Sequence, residues 1–176
     1  ETKMHIEPGV VNETKMALSY AVATSAAGLT IKYSIDTLRQ SNSTAFVLRF
    51  IMATLLTVFF FEALPRFPAG VSEVHFIFGS TLVLLFGAAP VAIGLAAGLA
   101  IQGLFVASTD LPQYFMNTSN LLFLLFAISW VVGRIIAPNT AYVDCTYKQV
   151  PNLSATYQSG ILAWVAFWDF YGQGFG

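Results

Sequence analysis

Two histidines, His5 and His75, are the residues best suited to chemistry in this chain. Imidazole nitrogens are good ligands for borderline transition ions such as Co²⁺, Ni²⁺ or Cu²⁺. A histidine next to a free N-terminus can add its own backbone nitrogen and the terminal amine. The metal is then wrapped in one plane, with a fourth position left for a distant donor such as His75. The plainer reading is that His75 caps a helix and His5 belongs to an exposed tail, and spacing alone does not decide between them. The single cysteine, Cys145, excludes an internal disulfide and any cysteine-based zinc centre. Asp110, Asp169 and Glu62 are isolated, with no nucleophile–base arrangement beside them. The chain therefore does not read as an enzyme.

The elements that must carry these histidines are set by composition. Of 176 residues, 56% are hydrophobic and only 10% charged, against about 25% charged in a soluble domain. Eight basic and nine acidic side chains cannot build a charged shell, so lipid must cover much of the surface. A net charge of -1 provides no basic field, and a nucleic-acid partner is excluded. The expected fold is all-α: a polytopic membrane helical bundle of five to six helices, forming one transmembrane domain over residues 1–176.

The spans are read as residues 16–35, 45–61, 74–87, 90–107 and 120–136. The first competes with a signal peptide, but further apolar regions follow at once. No Asp, Glu, Lys or Arg occurs from Val74 to Thr109. One helix over that stretch would be about 54 Å long against a hydrocarbon thickness of roughly 30 Å. It must fold back, and Gly87-Ala88-Ala89-Pro90 is the expected break, leaving a short central pair. Gly94 and Gly98 are spaced for close helix packing. Asn117, Thr118 and Ser119 read as a polar cap on the fifth span, and residues 137–159 read as a long loop. The last apolar stretch, residues 161–171, is either the start of a sixth helix or an interfacial one.

Counting bases beside the spans places Lys32, Arg39, Arg49, Arg134 and Lys148 inside and Lys3, Lys15 and Arg66 outside. That favours an external N-terminus in a multi-pass protein of the cell's inner (plasma) membrane. Residues 1–15 then form an external segment, and both histidines reach one face.

Met4-His5-Ile6-Glu7-Pro8-Gly9 resembles the opening of the substrate-capture membrane subunit of cobalt and nickel energy-coupling-factor transporters. The resemblance continues through Phe67-Pro68-Ala69-Gly70, His75, Leu84-Leu85-Phe86-Gly87 with Pro90, Gln102-Gly103-Leu104-Phe105, Asp110-Leu111 and Asn117-Thr118. It implies capture of Co²⁺ or Ni²⁺ as the transported substrate, with no intrinsic cofactor. The implied ligands are the Met4 amine, the His5 backbone nitrogen and imidazole, and His75, with Asn117 orienting a histidine. It also implies a coupling membrane subunit and separate ATPase subunits as partners, besides the lipid bilayer. The chain itself has no Gly-rich Gly-Lys-Ser/Thr nucleotide motif. Several positions depart from the pattern. Glu1-Thr2-Lys3 precede Met4 and, where present, acylate its nitrogen; Phe115 stands where the family has a glycine. These leave open an alternative: a non-transporting structural subunit of a larger membrane assembly, packed against other membrane subunits.

Overall fold

The structure, a computed structural model, describes residues 13–69, 72–75, 78–106, 108–136 and 144–173. Among these are six helices and one small hairpin: α1 (Glu13–Gln40), α2 (Ser43–Ala63), β1 (Arg66–Ala69), β2 (Ser72–His75), α3 (Gly79–Phe86), α4 (Ala88–Phe105), α5 (Tyr114–Ile135) and α6 (Gln149–Gln173). A 3₁₀ turn, Ser108–Gln113, links α4 to α5. The helical membrane bundle expected from composition is what forms. Three segments, α2, α4 and Leu111–Arg134, are each long and apolar enough to cross a membrane.

α2 shows how the sequence is divided between lipid and protein. Asn42 caps it, its side chain accepting from the Thr44 amide at 2.8 Å. Its buried residues, Phe46, Ala53, Thr54, Thr57 and Phe61, fall on one stripe and are mostly small or hydroxylic. Its bulky Leu48, Leu55 and Phe59 are exposed. The small stripe lets α4 approach closely. A Cβ on Gly94 would lie 2.6 Å from that of Ala53, and one on Gly98 would lie 2.6 Å from Thr57 Cγ2. Higher up, Gln102 Nε2 donates to Glu62 Oε1 at 3.1 Å. The three contacts keep a nearly constant offset, so α2 and α4 run parallel. The chain between them must return.

That return departs from the sequence reading. Residues 74–87 do not form one helix. β1 and β2 pair antiparallel with Arg66 opposite His75 and Ala69 opposite Ser72. Only after Phe78, in the left-handed conformation at φ 50°, does the eight-residue α3 begin. The physical reason is that Val74 and His75 satisfy their backbone in the ladder with Phe67 and Arg66, and the β-branched Val74 suits a strand better than a helix. The break itself falls where expected. Gly87 takes φ 87°, and Pro90 sits in the first turn of α4, where its missing N–H costs nothing.

Two further boundaries are corrected. α5 starts at Tyr114, so Asn117, Thr118 and Ser119 lie inside the helix and are buried; they do not cap it. The loop expected over residues 137–159 ends sooner, because α6 begins at Gln149. Thr146 and Gln149 form a reciprocal capping box there: the Gln149 amide donates to Thr146 Oγ1 at 3.3 Å, and the Thr146 amide to Gln149 Oε1 at 2.8 Å. The last apolar stretch is thus the second half of a 25-residue helix. α6 runs antiparallel to α5, with Trp164 Nε1 donating to Asn120 Oδ1 at 2.6 Å and Gly160 against Leu124. α1 runs parallel to α5, since Tyr20 meets Phe115 and Tyr33 stacks on Phe126.

Candidate metal-capture site

These directions gather particular chain ends. The ends of α2 and α4 lie together at Glu62 and Gln102. From α2 the chain passes through Leu64 and Pro65 to Arg66, which faces the His75 backbone. From α4 the 3₁₀ turn leads directly into α5. α1, parallel to α5, has its own start toward the same end. The open end of the hairpin and the first turns of α1 and α5 therefore belong to one end of the bundle.

Of the residues singled out by sequence, Met4 and His5 lie outside the described residues. His75 is the last residue of β2; its backbone is described and its side chain is not. Asn117 is 8% exposed, and its Nδ2 has no hydrogen-bond partner among the described residues. Gln113 Oε1 and Thr118 Oγ1 are likewise buried without one. Gln113 and Asn117 are four residues apart on the α5 side of the turn and so share a face. Buried polar atoms are nearly always paired, so three unpaired ones within six residues make this stretch a candidate for receiving another group. Asn117 Nδ2 is a donor and would take a carbonyl or another oxygen, whereas the ring N–H of a metal-bound imidazole needs an acceptor, which Gln113 Oε1 or Thr118 Oγ1 can supply.

Gln113 was not among the sequence candidates. A lone glutamine after Pro112 carries no signal until the helix start is placed at Tyr114; then its four-residue spacing to Asn117 becomes meaningful. Among the described residues no group of three or more His, Cys, Asp or Glu side chains comes together.

A cavity of about 600 Å³ lies between α1, α4 and α5, walled by Ala23, Ala27, Ala92, Ala96, Tyr114 and Thr118 among others. Its hydroxyls are largely spent within the bundle. Thr24 and Thr30 donate to the Tyr20 and Ala26 carbonyls of their own helix, and Tyr114 donates to the Ala96 carbonyl at 2.9 Å. The wall is left mainly methyl groups and rings. It offers a hard or borderline cation almost nothing to bind.

Comparison with curated proteins and with solved structures gives no match. The chain does match a protein family from residue 5 to residue 168, beginning at His5 and extending through most of α6. With a match over nearly its full length, and with a helical bundle to carry it, the chain belongs to the CbiM family, the cobalt uptake substrate-specific transmembrane region.

Proposed function

We propose that this membrane component of cobalt uptake captures Co²⁺, or Ni²⁺, on the outer face through the Met4 amine, the His5 backbone nitrogen and imidazole, and His75. The ion is then passed inward with a coupling membrane subunit and separate ATPase subunits. The observation carrying this reading is the family match that starts at His5. The unpaired buried Asn117 Nδ2 adds support, as a polar group kept dry near the start of α5. Four nitrogen donors would suit either ion, and the cavity geometry would choose between them.

The experiment is a calorimetric titration with NiCl₂ and CoCl₂ of three full-length forms: one beginning at Met4, one retaining Glu1-Thr2-Lys3, and His5→Ala in the Met4 form. The Met4 form should bind one ion tightly. The extended form should lose nearly as much affinity as His5→Ala, because an acylated nitrogen is a poor donor. Equal weak binding by all three replaces this reading with that of a structural subunit.

A further inference from the structure

The start of α3 is held more firmly than an eight-residue helix requires. Gly79 lies under the Tyr157 ring of α6 so closely that a Cβ there would overlap the ring and its hydroxyl. One residue on, Ser80 Oγ and Ser154 Oγ are hydrogen-bonded at 3.0 Å. On the other side, the Phe78 ring meets Phe60 of α2 edge-on, with centroids 5.5 Å apart. α6 also packs against both hairpin strands. Between these anchors sits Phe78 at φ 50°, the one non-glycine residue with positive φ among the described residues. A bulky aromatic in that conformation is strained and persists only where its surroundings over-determine it. Only residues 76–78 separate the clamp from His75.

We propose that Tyr157 and Ser154 are positioning residues for metal capture: they fix the start of α3, and through it the hairpin end that carries His75. This rests on the reading of His75 as a ligand. A planar metal site tolerates little displacement of a donor, about 0.5 Å in designed sites, and a two-stranded hairpin alone is too weak to provide that. The neighbouring helix supplies the rigidity. The Tyr157 hydroxyl is buried and has no hydrogen-bond partner among the described residues, so seating Gly79 is work for the ring. Phenylalanine can do that work.

The test is Ni²⁺ titration of the full-length Met4 form in detergent, read by affinity, by the visible absorption band of bound Ni²⁺ and by thermal stability. Tyr157→Ala should weaken binding about 10–100-fold, as other supporting-residue losses do, and shift the band. Tyr157→Phe should behave as wild type. Gly79→Ala should lose affinity alone and regain part of it when combined with Tyr157→Leu, whose shorter side chain makes room for the new Cβ. Ser154→Ala deletes one oxygen and leaves packing intact, so it reads the same effect, smaller, where a larger truncation lowers yield. Unchanged affinity and band in Tyr157→Ala, Gly79→Ala and Ser154→Ala, with only the melting temperature lowered, overturns the positioning role. If His75→Ala binds as wild type does, the ligand assignment itself falls, and the positioning role falls with it.

Discussion

An amide buried in a helix without a partner is expensive, on the order of 1–3 kcal/mol. Asn117 bears that cost at Nδ2, and Gln113 bears a similar one four residues earlier. A change that removes the cost should stabilise the fold if the group has no work to do. Asn117→Leu is therefore expected to leave the melting temperature unchanged or higher while weakening Co²⁺ or Ni²⁺ binding about 10–100-fold. A thermal melt and a metal titration on the same preparation check both halves. A lower melting temperature with unaltered affinity would make Asn117 a structural residue only. The histidine ligands predict a pH dependence as well. A protonated imidazole cannot ligate, and the terminal amine and backbone nitrogen must give up protons too, so binding should weaken as pH falls. Titrations at pH 5.5 and 7.5 measure it, and equal affinity at both would remove histidine from the ligand set.

At the scale of elements, the close packing of α2 on α4 makes a strong prediction. Gly98→Ala places a Cβ 2.6 Å from Thr57 Cγ2 and 2.8 Å from its Cβ, a collision with a stiff branched side chain. Overpacking of this kind costs about 1–3 kcal/mol, so the melting temperature should drop, whereas Gly133→Ala, with nothing within 4 Å, should not lower it. The α5–α6 contact gives a second. Trp164→Phe strands Asn120 Oδ1 in a buried setting, and adding Asn120→Leu should recover most of the loss, because removing both partners is cheaper than removing one. Thermal melts of the single and double variants decide it. These elements were legible to different degrees. α2 and α4 stood out as apolar runs, α4 without a charge and α2 with charges only at Arg49 and Glu62, and Gly94 and Gly98 announced their packing by spacing. The hairpin did not, because its strands, Arg66–Ala69 and Ser72–His75, are four residues each and too short to show a period of two. The start of α6 was written in Thr146-Tyr147-Lys148-Gln149 but masked by Pro151, which reads as a loop marker and is harmless in a first turn. Of the candidate site, Asn117 came from family resemblance, and the helix start beside it, expected at residue 120, lies at Tyr114, more than a turn earlier. His75 was singled out by residue type, but its place at the end of a strand was not foreseen, since strand pairing with Arg66 is a non-local fact.

For the whole molecule, the directions of packing turn a topology into something that can be read from one or two positions. α1 and α5 are parallel, α2 and α4 are parallel, and α6 opposes α5, so a single side assignment propagates through the bundle. The basic residues Arg39 at the end of α1 and Arg134 at the end of α5 lie at matching ends of those parallel helices. Arg134 is anchored there, its guanidinium 3.7 Å from the Trp130 ring centre, an arrangement that suits a headgroup layer. Two arginines at one end and the hairpin with the first turns of α1 and α5 at the other predict that the capture end faces outward. Single cysteines placed in a Cys145→Ser background test this in intact cells. A membrane-impermeant maleimide should label Thr2→Cys directly and Gln40→Cys only after permeabilisation. Labelling of both from one side would break the parallel scheme at α1, and with it the meeting of His5 and His75. Labelling in the reverse order would keep the scheme and turn the capture end to face the cytoplasm, which an uptake component has no use for.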